Sequence, residues 1–237
     1  MANPYFKFKQ FAVYHDRSSL KVGTDAVLLG AWADVADAER ILDIGTGSGV
    51  IALMLAQRSA AQIDAIDIDE ESTKQAQENF SDSPWSERLR VHNISLNDFA
   101  AATTVRYDLI VSNPPYFTDS FKPSDPQRFS ARHNDQLPIQ ELAENTAKLL
   151  SANGKFCVIL PVKEAGLLTA ALRNFGLFPE KELWVYSFTG KEVFRKLILF
   201  GRSQTVCIKE ELTIETAPGQ GYSKEYVELT RAYYLNF

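Results

Sequence analysis

Apolar strand patterns and helix patterns alternate along the chain from residue 40 to about residue 175. Buried strands are predicted at 40–43, 62–67, 89–93, 107–112 and 156–160, with helix-forming segments between them. Such alternation is typical of a parallel sheet with helices on both faces. After residue 180 the β-rich segments follow one another without long helices, which predicts an antiparallel pair at one edge of the sheet.

The composition predicts a folded protein without a membrane span, a disulfide framework or a metal centre. Of 237 residues, 45% are hydrophobic, which is too many for a disordered chain. The apolar runs are far shorter than the ~20 residues that cross a bilayer, and the first residues do not resemble a secretory signal. The cysteines, Cys157 and Cys207, have no paired spacing, which fits a cytoplasmic location. The net charge of −5 argues against a protein that coats nucleic acid without sequence preference.

A glycine-rich loop follows the first predicted strand of the sheet. Gly45, Gly47 and Gly49 lie between this strand and the next helix, where glycines let a ligand approach the main chain. The spacing differs from that of nicotinamide enzymes, and no lysine follows to bind a phosphate. Asp43, two residues before the first glycine, would repel a pyrophosphate but would suit an ammonium or sulfonium group. The loop therefore predicts S-adenosylmethionine as the ligand.

The second predicted strand ends at an acid. Asp67 could accept the hydrogens of both ribose hydroxyls, because a carboxylate offers two acceptor oxygens. Ile68 could cover one face of an adenine. Asp67 or Asp69 could instead cap the helix that begins near Glu70, since Asp favours that position. We assign ribose binding to Asp67 and helix capping to Asp69.

The sequence Asn113-Pro114-Pro115-Tyr116 follows the buried strand at 107–112. Two prolines stiffen the turn and remove two backbone donors, which leaves acceptors. The Asn113 side-chain oxygen and the Pro114 carbonyl could each accept one hydrogen of a planar NH2 group, and Tyr116 could stack on its ring. Fixed acceptors stabilise the positive charge that develops on nitrogen as a methyl group arrives. The catalytic residues predicted for this transfer are Asn113, Pro114 and Tyr116.

These residues resemble those of the class I adenosylmethionine-dependent methyltransferases, in the branch that methylates amino groups. The segments 21–30, 131–133 and 226–230 are similar to the bacterial valine-tRNA adenine-N6 methyltransferases. The resemblance implies an α/β, Rossmann-like fold with a mostly parallel seven-stranded sheet, an antiparallel edge strand and helices on both faces. It also implies that residues 40–237 form the methyltransferase domain and that residues 1–39 pack on it as a cofactor lid, with Thr24 and Asp25 over the methionine end.

The same resemblance extends to the cofactor's adenine. Related enzymes often carry an Asp after the third strand that contacts this ring, and Ser95 stands at the corresponding position here. A serine can still donate or accept a hydrogen bond, and Leu96 can pack on the ring. We therefore include Ser95 and Leu96 among the predicted cofactor-binding residues.

The methyl acceptor cannot be chosen from the Asn-Pro-Pro-Tyr turn alone, because glutamine and adenine both present a planar NH2. The resemblance favours an adenine in a tRNA anticodon loop. An unpaired base there can rotate out of its stack into a pocket at a low cost in free energy. Glutamine N5 methylation of a release factor and a non-catalytic module that binds the cofactor or RNA are the alternatives. The residues expected to contact tRNA phosphates are Lys122, Arg128, Arg132, His133, Lys191, Arg195 and Lys196.

Overall fold

The computed structural model describes residues 3–18, 21–115 and 137–237. A small hairpin comprises β1 (Tyr5–Lys7) and β2 (Ala12–Tyr14). The main sheet comprises β3 (Arg40–Ile44), β4 (Gln62–Asp67), β5 (Leu89–Asn93), β6 (Tyr107–Ser112), β7 (Leu150–Leu160), β8 (Phe178–Phe188), β9 (Val193–Gly201) and β10 (Ile208–Glu215). The helices are α1 (Thr24–Trp32), α2 (Val50–Arg58), α3 (Glu70–Ser81), α4 (Leu96–Ala102), α5 (Ile139–Leu149), α6 (Val162–Arg173) and α7 (Lys224–Thr230).

The main sheet has the strand order β10-β8-β9-β7-β6-β3-β4-β5 within the described residues. Among these strands, β9 alone runs antiparallel to its neighbours β7 and β8. The mostly parallel sheet is therefore confirmed, with one difference from the seven-stranded prediction. β10 adds an eighth strand, parallel to β8, so the antiparallel strand lies inside the sheet. Leu212 on β10 is buried, and pairing with β8 is what brings it to the core.

The hydrophobic core lies in two layers, one on each face of the sheet. Ile41 and Leu42 of β3 belong to different layers because successive strand side chains point to opposite faces. Helices α1 and α2 pack on the first layer, and α4, α5 and α6 on the second. Each fully buried aliphatic side chain contributes about 1.5–3 kcal/mol. Burial on both faces holds the sheet in place. The candidate site lies at the carboxyl ends of its strands.

The hairpin and α1 cover the first layer. Phe8 stacks on Phe11, with ring centroids 4.6 Å apart, and Lys9 Nζ donates to the carbonyls of Arg231 and Phe237 near the end of the chain. Helix α1 lies so close to α2 that a Cβ on Gly30 would meet the Met54 sulfur at 2.8 Å. The segment before β3 is thus held against the sheet domain by packing on both α2 and the C-terminal residues.

Two general predictions from composition can be compared with the described residues. Within those ranges, no helix combines the length and apolarity that crossing a bilayer requires. The same ranges contain no group of three or more His, Cys, Asp or Glu side chains placed to hold a metal ion. Cys157 is a buried free thiol and Cys207 is a half-buried one.

Candidate active site

The carboxyl ends of three adjacent strands meet at one edge of the sheet. β3 lies between β4 and β6, and its last residue, Ile44, pairs with Ile66 on one side and Ser112 on the other. Ser112 Oγ donates to the Ile44 carbonyl at 2.9 Å, which fixes the ends of β3 and β6 together. A cleft of about 440 Å³ opens at this edge, where ligands bind in open α/β sheets. It is lined by Lys21, Gly23, Thr24, Asp25, Ala26, Gly45, Thr46, Gly47, Ser48, Val50, Ile51, Asn113, Phe194 and Ile214.

The glycine loop, residues 45–49, adopts the conformation that glycine alone accepts readily. Gly45, Gly47 and Gly49 have φ angles of 72°, 54° and 84°. A Cβ added at Gly45 would meet no atom within 4 Å among the described residues, so the backbone there is open to a ligand. The amides of Gly45 and Thr46 donate to the Ile66 carbonyl, which anchors the loop to β4.

Asp43 lies beneath the loop and is completely buried. Its Oδ2 accepts a hydrogen bond from the Thr46 hydroxyl at 2.7 Å, while its Oδ1 has no partner among the described residues. Burial raises the pKa of Asp43 to about 7. The carboxyl group therefore supports the loop from below, and a cation bound above the loop would favour its ionised form.

Asp67 has both carboxylate oxygens engaged with backbone amides. Oδ2 accepts from the Gly47 N–H at 2.8 Å, and Oδ1 accepts from the Asp69 N–H at 3.0 Å. Each oxygen keeps a second lone pair, so this carboxylate can still receive two hydroxyl hydrogens in a fixed orientation. Burial raises the pKa of Asp67 above its ordinary value. Asp69 caps α3 by accepting from the Ser72 N–H at 3.0 Å, which confirms its predicted capping role.

The turn after β4 presents an apolar side chain to solvent. Ile68 is 51% exposed, and Asn93 Nδ2 holds the turn by donating to the carbonyls of Asp67 and Ile68. Ser95 caps α4: its Oγ accepts from the Asp98 N–H at 3.1 Å and donates to the Asp98 carboxylate at 2.7 Å. Leu96 is buried in the second core layer. Ser95 and Leu96 thus already have structural roles, and their contact with a ligand stays a prediction.

The Asn-Pro-Pro turn begins directly after β6. Asn113 is half-buried and lines the cleft together with the glycine loop, while Pro114 is buried and Pro115 is exposed. The sheet thus brings the predicted acceptor Asn113 to the same cleft as the predicted cofactor loop. Several predicted residues lie outside the described ranges: Tyr116, Lys122, Arg128, Arg132 and His133.

The first turn of α1 also lines the cleft, and it carries Thr24 and Asp25. Arg195 of β9 forms an ion pair with Asp25 at 2.8 Å, and both side chains are largely buried. The guanidinium thus lies beside the cleft against α1, and contact of Arg195 with tRNA phosphates stays a prediction.

Lys196 points to the other face of the sheet from Arg195, since neighbouring strand residues alternate. Its Nζ lies 3.3 Å from the Glu182 carboxylate and 4.3 Å from the centroid of the Trp184 ring. Lys191 is exposed, with its Nζ 5.2 Å from the centroid of the Phe188 ring. Contact of Lys191 and Lys196 with tRNA phosphates stays a prediction.

Several residues that line the cleft were not predicted from the sequence. Phe194 and Ile214 come from β9 and β10 and form its apolar side. Nothing in their local sequence marks them, because they reach the cleft only through the order of strands in the sheet. Thr46 and Ser48 belong to the glycine loop, so recognising this loop in the sequence also identifies them as residues of the cleft.

Comparisons with known proteins agree with this geometry. A family model described as "Methyltransferase small domain" matches residues 15–175. Proteins from Phocaeicola vulgatus and Bacteroides thetaiotaomicron, both named tRNA1(Val) (adenine(37)-N6)-methyltransferase, are each 48% identical over 238 residues. The match covers 100% of this chain and 100% and 99% of those proteins, respectively. A crystal structure of a predicted O-methyltransferase from Agrobacterium tumefaciens shares the fold, with a TM-score of 0.67, 16% identity and coverage of 88% of this chain and 96% of that one. The chain belongs to the methyltransferase small domain family, and within it to the family of the tRNA1(Val) (adenine(37)-N6)-methyltransferases.

Proposed function

We propose that this protein transfers a methyl group from S-adenosylmethionine to the exocyclic N6 of an adenine in tRNA, beside the anticodon of a valine tRNA. The observation that carries the proposal is that one cleft holds both the glycine loop and Asn113, at the ends of the adjacent strands β3 and β6. The relatives that bear the corresponding name match the chain over its full length at 48% identity.

S-adenosylmethionine is the cofactor of this methyltransferase family, and the described residues fit it. The open backbone at Gly45 leaves room for the ligand, and the oriented carboxylate of Asp67 has free lone pairs for two ribose hydroxyls. The buried acid Asp43 has one oxygen without a described partner and would favour a positively charged ligand nearby. The bound cofactor supplies an electrophilic methyl group on a sulfonium. Ile68 would cover its adenine.

Asn113 and Pro114 would orient the methyl acceptor. The Asn113 side-chain oxygen and the Pro114 carbonyl would each accept one hydrogen of the adenine amino group, and Tyr116 would stack on the base. Two fixed acceptors draw the nitrogen lone pair out of conjugation and stabilise the positive charge that grows during transfer. The remaining contribution comes from aligning nitrogen with the methyl group. No general base is needed, because the methylated cation loses a proton readily.

The segments around the cleft would complete the site. Residues 1–39 would act as the cofactor lid, since Thr24 and Asp25 line the same cleft as the glycine loop. The tRNA would be held at the anticodon loop by the basic residues after the catalytic turn: Lys122, Arg128, Arg132 and His133. The exposed Lys191 could extend this contact. We propose a cytoplasmic location, which a tRNA substrate supports.

The direct test is incubation of the protein with labelled S-adenosylmethionine and unmodified tRNA, followed by nucleoside analysis. N6-methyladenosine is expected, whereas label on guanine, or on a release-factor glutamine offered in parallel, would contradict the proposal. Binding of the cofactor without any turnover would favour the non-catalytic alternative. Asn113→Ala should reduce kcat at least about 100-fold while the cofactor Kd stays nearly constant, because a positioned polar group acts mainly in the transition state.

A further inference from the structure

The side chain of Asn79 on α3 is 1% exposed and uses its hydrogen-bonding groups to connect two separate segments. Its Oδ1 accepts from the Tyr14 N–H at 2.9 Å, and its Nδ2 donates to the Tyr14 carbonyl at 2.8 Å. The same Nδ2 also donates to the Ser48 carbonyl in the glycine loop, again at 2.8 Å. The buried amide of Asn79 therefore joins the end of β2 to the glycine loop.

The first of these segments, residues 12–18, is called the strap here. Besides Asn79, α3 contacts it through Gln75, whose Oε1 accepts from the Arg17 N–H at 2.8 Å, and through Ser72, whose Oγ lies 3.3 Å from that of Ser18. Positions 72, 75 and 79 lie on one helix face, so a single side of α3 holds Tyr14, Arg17 and Ser18 of the strap. The end of the strap approaches the loop directly, because a Cβ on Gly47 would lie 3.5 Å from Ser18 Oγ.

Helix α3 also contacts the loop by packing. A Cβ on Gly49 would lie 2.5 Å from the Phe80 ring, so the backbone of the loop rests on that ring. Asn79 and Phe80 are consecutive residues, and one holds Ser48 by a hydrogen bond while the other supports Gly49. The position of the loop is thus determined by α3, and through Asn79 it is coupled to the strap.

We propose that Asn79 is a positioning residue that couples the strap to the glycine loop and thereby increases affinity for the cofactor without touching it. The proposal rests on the proposed function, since it concerns the loop that would bind S-adenosylmethionine. Coupling of this kind is reciprocal: if strap order favours cofactor binding, then cofactor binding must favour strap order. The kcat at saturating cofactor should be unaffected, because Asn79 forms no hydrogen bond with Asn113 or Pro114.

The expected effect follows from the groups that Asn79 satisfies. Asn79→Ala leaves the Ser48 carbonyl and the Tyr14 backbone groups without their partner, which loosens the loop and the strap together. We expect the Kd for S-adenosylmethionine to rise about 10-fold, with kcat at saturation within about twofold of wild type. Asn79→Asp keeps the acceptor for the Tyr14 N–H but loses both donors, so it should act in the same direction.

The matched control is Asn145→Ala. Asn145 is a similarly buried amide on α5, bonded to the Asn97 side chain and the Glu141 carbonyl, and it does not line the cleft. Calorimetric titration of the full-length variants with S-adenosylmethionine, at a temperature where each is folded by circular dichroism, measures the affinities. A rise for Asn79→Ala without a rise for Asn145→Ala supports the proposal. Equal affinities for the wild type and both Asn79 variants overturn it.

A measurement on the wild-type protein keeps the proposal testable if the Asn79 variants do not fold. When the cofactor is added, the hydrogen-exchange rates of the Tyr14 and Arg17 amides should fall at least about threefold. These amides donate to side chains of α3 and do not line the cleft, so direct contact with the cofactor would not explain the change. Unchanged exchange at both amides would overturn the coupling. Wild-type protein that binds no S-adenosylmethionine would instead refute the proposed function itself.

Discussion

Replacement of Asp43 by asparagine tests how burial controls the charge beneath the glycine loop. In the folded protein the pKa of Asp43 is about 7, against an ordinary value of 3.8, because burial disfavours the ionised carboxylate. Between these two pH values the unfolded chain has released this proton while the folded protein still holds it. Stability therefore falls as the pH rises through this window, and the loss is complete above pH 7.

The magnitude follows from the same two values. Each pH unit inside the window costs about 1.4 kcal/mol, so the interval from pH 5 to pH 7 removes about 3 kcal/mol from the wild-type free energy of unfolding. Asparagine does not ionise there, and its amide oxygen can still accept the hydrogen bond from Thr46. The stability of Asp43→Asn relative to wild type should therefore rise by about 3 kcal/mol between pH 5 and pH 8.

Urea unfolding at pH 5 and pH 8, without cofactor, measures this difference. Asp37→Asn, which removes an exposed carboxyl group, controls for the general effect of losing one negative charge. A relative stability of Asp43→Asn that does not change with pH would refute the reasoning, since it would mean that the buried carboxyl group ionises as it does in water. A change of the opposite sign would show that the ionised form has a partner in the fold.

Three further predictions concern the loop and the charged residues. Asp67→Asn should raise the Kd for S-adenosylmethionine about 10-fold or more by calorimetry, because it removes a charged acceptor and can turn an NH2 group toward the Gly47 N–H. Gly49→Ala should lower the free energy of unfolding by about 2 kcal/mol or more in urea, since its φ is 84° and the new Cβ would meet Phe80. Lys196→Ala should leave the tRNA Kd within about twofold in a filter-binding assay.

The glycine substitution has a matched control in the same chain. Gly176 also has a positive φ, of 70°, but a Cβ there would meet no described atom within 4 Å. Gly176→Ala should therefore cost only the backbone strain, about 1 kcal/mol. Equal losses at the two positions would contradict the assigned contact between Gly49 and the Phe80 ring. A large loss of tRNA affinity in Lys196→Ala would contradict the last prediction and show that Lys196 contributes to RNA binding.

The parts of the site that are local in sequence could be predicted from the sequence. The division of roles between Asp67 and Asp69 followed from a strand end, a helix start and the capping preference of Asp, and the capping half of it is confirmed. That the glycine loop and Asn113 each follow the end of a strand could also be predicted, and the parallel sheet brings both to one edge.

The parts that depend on sheet order could not be predicted in this way. Phe194 and Ile214 reach the cleft because β9 and β10 lie where they do, and β10 pairs in parallel with a strand two elements earlier in the chain. The ion pair between Arg195 and Asp25 depends likewise on the place of β9 in the sheet, because its two residues are 170 positions apart in the sequence.

The spacing of adjacent strands sets the distance scale of the proposed reaction. Neighbouring strands lie about 4.8 Å apart, so a donor bound above the end of β3 and an amino group held by Asn113 after β6 are brought within reach without any large movement of the sheet. The Ser112 hydroxyl locks these two strand ends together through the Ile44 carbonyl. Since the proposed chemistry relies on alignment rather than on a strong base, the rigidity of this junction is itself a catalytic requirement. Ser112 is therefore expected to contribute to the reaction by holding these two strand ends together.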